Sequence, residues 1–544
     1  MVHKMTYDAA IDGKDIRKNG IFFIIDALRY DIFADPEAAR ALAPNICVLA
    51  DQGVVRRAVA NAPATQFVLP SLVSQTYPLD YGGYNFGIST RPRSYAEQLQ
   101  ELGYSTQMMA SCTALGITHG YERGFDGLHT AQDCRLILAH FLERNLAYEI
   151  ERWQSGKISD AEAIEIISAP MEDLLTTVAR VTEGGRGRIW PQKLRAINEL
   201  VALRCSSELD LLQREPLIVL KKINSIPPIL YWRYLGKVRP GPSYIWYRLK
   251  EAIRWRTVNL LAKFEFPFLP LLHFETKAHE IMDGVCEFVR NSEGPWSIHL
   301  HLMDVHDFRS VARPMHVVQR LRYLPRWLKA RARGQTDRRF GYDSALMFLD
   351  QEFGKLLTTL RETCGLNKVV VLVTGDHAYH DAGSPRPKQN IAFRTHFEDI
   401  DIPMILFGAD RVISDTGMID SMGMNATYLE ALDIPAHESF KGRSAFTDGR
   451  DAIISESAGS GNSDIENKDL YFTVSTDEYR MMSVLKGSEL SVFKLYDRSE
   501  DPKELNNIVD DPDKAQIIKT FIGYIERERG EILSLRGYSS TTLT

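Results

Sequence analysis

The amino-acid sequence predicts an α/β fold built on a mostly parallel central sheet flanked by helices. Short apolar runs of strand length alternate with helix-period segments. Three chemistry-bearing segments, widely separated in the chain, each fall where such a run ends. IFFII at 21–25 is apolar at every position, as a strand covered on both faces must be, and Asp26 follows at its carboxyl end. In open α/β sheets the ligand site lies at that edge.

The elements follow in order. A helix is expected over Pro36–Gln52, and Gly53 then leads into a strand at Val54–Ala60. Tyr95–Leu102 is helical in period and Gly103 closes it, before a strand at Ser105–Ala110. Long helix-period stretches then take over at Asp133–Gln154, Ser159–Thr182 and Pro191–Gln213. Strand texture returns with Trp296–Met303, Lys368–Thr374 and Pro403–Phe407. From about 450 a smaller region carries strands near Leu470–Val474 and Tyr479–Lys486, and ends in a charged helix at Pro512–Ser534. The Ser/Gly/Asn-rich stretch Ser455–Asp464 reads as a loop. The expected organisation is therefore an N-terminal extension (1–20), an α/β domain in two pieces (21–130 and 276–445), a helical insertion (131–275) and a small C-terminal α+β subdomain (446–544).

Bulk composition limits the partners. The 544 residues are 44% hydrophobic and 25% charged, ordinary for a globular chain, and the net charge of −6 argues against nucleic acid. The six cysteines form no CxxC pair, which suits reduced, buried thiols better than a disulfide frame or a structural zinc site. No apolar stretch approaches 18 residues and the first twenty residues are polar, so neither a membrane span nor a secretory leader is expected, and the default location is cytoplasmic. The stretch Pro227–Phe274 mixes Trp232, Tyr244, Trp246 and Trp255 with Arg and Lys. Two readings apply to it: peripheral contact with a membrane surface or lipid substrate, and a helix pair packed on the sheet domain or on another subunit.

The chemistry-bearing segments are IIDALRYD, with Asp26; NAPATQFVLPSLVSQTYP, with Thr65; and VLVTGDHAYHDAG, with Asp376 and His377. Their surroundings resemble the alkaline phosphatase and sulfatase superfamily. APNICVLADQGVVRRAVANAPAT is similar to the run that leads to that family's nucleophile, and LPSLVSQTYP to the helix that follows it. YAEQLQELGYST, YERGFDG, HLMDVHDF, DIPMILFGAD, ATYLEALDIPAHESFKGRS and KLYDRSEDPKELNNI resemble further family segments in the same order. The resemblance covers about 20–130 and 295–510 and implies an alkaline-phosphatase-like sandwich as the catalytic domain.

It also implies roles. Asp26, Asp376 and His377 would hold one divalent cation; their mixed oxygen and nitrogen set favours zinc or manganese, with calcium or magnesium left open. Thr65 falls at the nucleophile position, although a threonine after a strand also suits a helix cap. His306 matches the family histidine that contacts the ester oxygens or protonates the leaving group. Arg29, His380 and Lys388 are candidates for substrate binding, with His396 a weaker one. His299 and His301 are expected as core residues or as support for the ligands. Asp304 could ligate a second metal, but the further histidine this needs is replaced by Phe308.

The departures shape the expected activity. The stretch Thr65–Leu69 lacks the oxidisable Cys or Ser, the Pro and the Arg of the formylglycine motif, and Ala27 replaces a second aspartate. Arg29, Arg91 or Arg93 are the available substitutes for the missing arginine. The threonine resembles phosphoethanolamine and glycerophosphate transferases of the same superfamily. The expected function is thus cleavage or transfer of a phosphate ester, monoester or diester, through a covalent Thr65 intermediate. The alternatives are a sulfuric ester hydrolase and a non-catalytic scaffold of the same fold. The substrate would be a small-molecule, glycan or lipid ester, with assembly of several copies left open.

Overall fold

The structure, a computed structural model, describes residues 17–112, 115, 119–130, 133–180, 192–261, 278–306, 321, 324–334, 336–380, 394–459 and 462–539. Twelve strands occur among them: β1 (Asn19–Ile25), β2 (Val54–Val59), β3 (Ser105–Ala110), β4 (Gly127–Thr130), β5 (Trp296–Leu302), β6 (Val369–Thr374), β7 (Asp401–Phe407), β8 (Ile419–Asp420), β9 (Ile453–Ser457), β10 (Leu470–Ser475), β11 (Tyr479–Lys486) and β12 (Glu489–Asp497). The first eight form one sheet in the order β4-β3-β5-β1-β6-β7-β2-β8, and the last four form a second sheet in the order β12-β11-β10-β9. In the large sheet only β7 runs against its neighbours β6 and β2.

β1 lies between β5 and β6 and is parallel to both. Its side chains alternate between two cores, which is why the run is apolar throughout. Ile21, Phe23 and Ile25 join one core with the helices Pro44–Gln52, Ala278–Asn291 and Asp337–Thr363; Phe22 and Ile24 join the other with the helices Thr65–Ser74, Tyr95–Glu101 and Ser421–Ala431. β5 obeys the same rule with a different content. Ile298, Leu300 and Leu302 enter the first core, which leaves the polar Ser297, His299 and His301 on the side of the Thr65 helix.

The remaining helices between Cys134 and Tyr234 build a separate core around Leu138, Met171, Leu174, Val201, Cys205 and Tyr231. No disulfide joins the cysteines: all six are free, and five of them are buried.

Several boundaries differ from expectation. The helix expected at Pro36–Gln52 is two helices, Pro36–Leu42 and Pro44–Gln52, because Pro44 pushes Ala43 out of the helical region (φ −136, ψ 60). Asp133–Gln154 is likewise interrupted, giving Cys134–Arg144 and Ala147–Gln154. Residues 455–457 of the expected Ser/Gly/Asn loop complete β9. The C-terminal helix proper is Ala515–Leu535, after a 3-10 turn at Pro512–Lys514.

A buried ion network fastens the two sheets together. Asp401 at the start of β7 pairs with Arg480 on β11 and with Arg498, and Glu504 accepts from Arg480 Nη1 at 2.8 Å. Burial alone would raise the carboxyls of Asp401 and Glu504, but the two guanidinium groups hold both below their ordinary range. Asp401→Asn is therefore expected to destabilise the protein by about 3–5 kcal/mol, because it leaves buried arginine charge uncompensated. Urea unfolding at pH 7 measures this. The stabilisation from these depressed carboxyls is complete above pH of about 4, the unfolded value, and is lost as pH falls through the lower folded value.

Candidate active site

The central strands bring three of the expected residues to one sheet edge. After β1 the chain turns sharply: Leu28 N–H donates to Ile25 O at 3.1 Å, and Ala27 takes a positive φ of 66°. Alanine pays a steric penalty of roughly 1–2 kcal/mol in that region, so the neighbours must hold it there. They do: Ala27 N–H donates to Asp376 Oδ1 at 3.0 Å, and its carbonyl accepts from Tyr342 OH at 2.8 Å. The turn keeps Asp26 at the edge beside β5, where Asp26 N–H donates to Leu302 O at 3.0 Å.

Thr65 arrives from a different direction. Asn61, in the loop after β2, donates to Ile454 O at 3.0 Å and accepts from Glu456 N–H at 2.7 Å, so β9 fixes the approach to the helix Thr65–Ser74. The N-cap of that helix is Ala64, with no side-chain cap. The threonine hydroxyl is therefore not the cap that sequence left open. Thr65 Oγ1 instead donates to Asp26 Oδ2 at 3.0 Å and lies 3.3 Å from His377 Nε2.

His377 follows β6. Its Nδ1–H donates to the Ala378 carbonyl at 2.5 Å, which directs the Nε2 lone pair inward. That lone pair faces Asp26 Oδ1 at 3.7 Å and Asp376 Oδ2 at 3.6 Å. Neither carboxylate oxygen has a hydrogen-bond partner, and both aspartates are fully buried. Two buried carboxylate oxygens without donors are costly unless a cation lies near them. Asp26, His377 and His306, with ligand atoms within 4.8 Å of one another, fit a divalent metal. Asp376 Oδ2 lies near His377 but is not part of that close group. Burial opposes the charge of Asp26, yet His306, His301 and His377 hold its carboxyl well below the usual range.

His306 is half-buried, with its ring 6.2 Å from that of His377 and 5.3 Å from that of Tyr379. One ligand atom of His306 lies within 4.8 Å of one each from Asp26 and His377. His301, expected only as core or support, is drawn into the site: its Nε2 is 3.5 Å from Asp26 Oδ2, it is fully buried, and neither ring nitrogen has a hydrogen-bond partner. Cys112 forms a second close group with Asp26 and His301. The alternation in WSIHLHL carried the signal for His301, since polar residues on one face of a fully buried strand must point at something polar. His299, on the same face, bonds Tyr95 OH at 2.7 Å; burial, then the nearby His301, pushes its pKa down to about 3.

The remaining candidates are placed differently. Arg29 forms a two-pronged pair with Asp31 (2.9 and 2.7 Å) and donates to Tyr379 O, so it braces the loop after β1. Arg91 is buried and donates to the carbonyls of Gly87, Tyr77, Pro78, Asp80 and Gly83, while Arg93 bonds Gln98 and Glu101. Each substitute for the missing arginine thus has structural partners. His380 is buried with Nδ1 3.8 Å from Asp399 Oδ1. Asp304 accepts from Ala278 N–H at the start of a helix, and His396 bonds Glu504. Lys388 and Phe308 lie outside the described residues.

Residues 237–434 match the Sulfatase family model, a span that includes His301, His306, Asp376 and His377. No curated protein matches the chain in sequence. The phosphonate monoester hydrolase of Agrobacterium radiobacter superposes with a TM-score of 0.51 at 14% identity, covering 96% of each chain. A protein of Bacteroides thetaiotaomicron described with the metabolism of multiple glycosaminoglycans gives 0.52 at 16% identity, over 94% of this chain and 99% of that one. Ps i-CgsB, solved with k-i-k-neocarrahexaose, gives 0.51 at 13% identity, over 97% and 95%. At these identities the likeness is one of fold. Residues 237–434 thus carry a match to the Sulfatase family, and the fold of the chain is the one that the phosphonate monoester hydrolase and these other proteins share.

Proposed function

We propose that this protein is a metal-dependent phosphate ester hydrolase, or a transferase sharing its first step, with Thr65 as nucleophile. The observation that carries the reading is the placement of Thr65 Oγ1 against Asp26 Oδ2 and His377 Nε2 instead of at the cap of its own helix. Asp26, Asp376 and His377 would hold the cation, which when bound neutralises charge on the ester oxygens.

The protein's own groups do the rest. Asp26 Oδ2 holds the Thr65 hydrogen, which leaves an Oγ1 lone pair facing the ester. As the Oγ1–phosphorus bond forms, that proton is released to water and the alcohol departs with a proton from His306. Water, or an acceptor alcohol, then breaks the threonine–phosphorus bond and returns a proton to His306, while the departing Thr65 Oγ1 takes a proton back from water. The helix Thr65–Ser74 begins without a side-chain cap, so its first N–H groups and dipole favour an anionic group beside Thr65.

The match to the Sulfatase model supports a second reading, sulfate ester hydrolysis by the same residues. Threonine weakens the formylglycine route, since a carbon bearing a methyl group cannot be oxidised to an aldehyde.

The expected result is metal-dependent cleavage of p-nitrophenyl phosphate, bis-p-nitrophenyl phosphate or a phenylphosphonate monoester, faster than cleavage of p-nitrophenyl sulfate. A preference for the sulfate would establish the second reading. Retained metal with no turnover of any ester across a broad panel would sink both.

A further inference from the structure

Among the described residues, the contacts of the helix Ser243–Leu261 with the rest of the protein lie on one side. Tyr244 OH donates to Ser225 O at 3.0 Å and its ring meets Tyr234 edge-on at 5.8 Å, while Tyr247 lies under the Arg233 guanidinium at 4.2 Å. On the opposite side stand Ile245, Trp246, Leu249, Ile253 and Leu260, between 51 and 75% exposed. At about 100° per residue these five fall within a single arc of roughly 100°, turned away from Tyr244 and Tyr247. Lone exposed apolar residues are ordinary; five in one stripe on a helix are not.

Charge identifies what covers the stripe. Arg248, Lys250, Arg254 and Arg256 are all exposed on this helix; Arg248 and Lys250 flank the stripe on either side, and Arg256 falls within its arc. The helix's one acid, Glu251, lies toward the attached side and pairs with Arg254 at 3.5 Å. Just upstream, Lys237, Val238 and Arg239 are exposed as well. This local basic excess stands in a chain of net charge −6. A second copy docking stripe to stripe would bring these cations against one another, whereas an anionic bilayer offers headgroups to the rim and acyl chains to the stripe.

We infer that the helix Ser243–Leu261 lies in the surface of an anionic lipid bilayer and docks the protein there without crossing it. No described helix is long and apolar enough to span a membrane. The tryptophan on the stripe suits the headgroup boundary, and the arginine and lysine stems reach past it to phosphate. The structure thus favours the membrane-surface reading of the Pro227–Phe274 stretch within its described part, while 262–274 lies outside the described residues.

Vesicle flotation of the full chain tests this. Vesicles with about 30 mol% phosphatidylglycerol are expected to capture the protein roughly tenfold or more better than pure phosphatidylcholine vesicles, with capture falling as salt rises. Leu249→Glu, and separately Arg248→Glu with Lys250→Glu, should each weaken capture by about tenfold or more. All these side chains are exposed, so circular dichroism and ester hydrolysis in solution should not change. Absence of capture, or equal capture of Leu249→Glu, would overturn the inference. A dimer in vesicle-free solution that Leu249→Glu dissolves would overturn it in favour of a second copy.

Discussion

Thr65→Ala is expected to lower kcat by on the order of 10⁴-fold or more while leaving the fold and metal content intact. The hydroxyl has no architectural duty that alanine would forfeit: the helix begins at Ala64 without a side-chain cap, and the methyl group fits the same place. Its two contacts are the Asp26 carboxylate and the His377 imidazole. Thr65→Ser should keep most of the activity, since the attacking oxygen and its hydrogen bond to Asp26 survive. Acid quenching during turnover followed by intact-mass measurement should find a phosphoryl adduct on the wild-type protein and none on Thr65→Ala. Full activity in Thr65→Ala would remove the covalent step from the mechanism.

Metal removal is the other large effect. Stripping the protein with a chelator is expected to abolish turnover and lower Tm, because Asp26 Oδ1 and Asp376 Oδ2 are then left buried beside His377 without a donor. Refilling at a thousandfold excess over Kd would return about 4 kcal/mol of stability. Asp376→Asn separates this from a general loss of structure. The asparagine oxygen can still accept from Ala27 N–H, and its amide would offer the missing hydrogen to His377 Nε2. The stripped variant should therefore melt no lower than stripped wild type, yet gain nothing from added zinc or manganese. Differential scanning fluorimetry with metal analysis reads both outcomes, and an undiminished metal response in Asp376→Asn would exclude Asp376 as a ligand.

These predictions rest on residues that differ in how far the sequence exposed them. Asp26 and the Asp376-His377 pair follow fully apolar runs, and a parallel sheet carries the carboxyl ends of neighbouring strands to one edge, so their convergence followed from local pattern plus topology. Thr65 needed more: its two readings, cap and nucleophile, differ by which atom the hydroxyl meets, and only the position of Asp26 decides that. His301 was visible as a polar residue on a buried strand, but its meaning depends on β5 lying beside β1, which pairs Ile24 with His301 across some 277 positions of chain. The short edge strands β4 and β8 escaped because four and two residues are too few to show a period.

By itself the sequence determined the α/β class, most of the central strands, the order of the metal-type residues and the absence of the formylglycine motif. Those are properties of local composition and spacing. The tertiary structure alone decided that Thr65 faces Asp26, that His301 and Cys112 join the site, and that Arg29, Arg91 and Arg93 are bound to partners of their own. It also decided which side of the helix Ser243–Leu261 is attached. Each of these depends on partners remote in the chain, chosen by the packing of whole elements, and no local pattern records that choice.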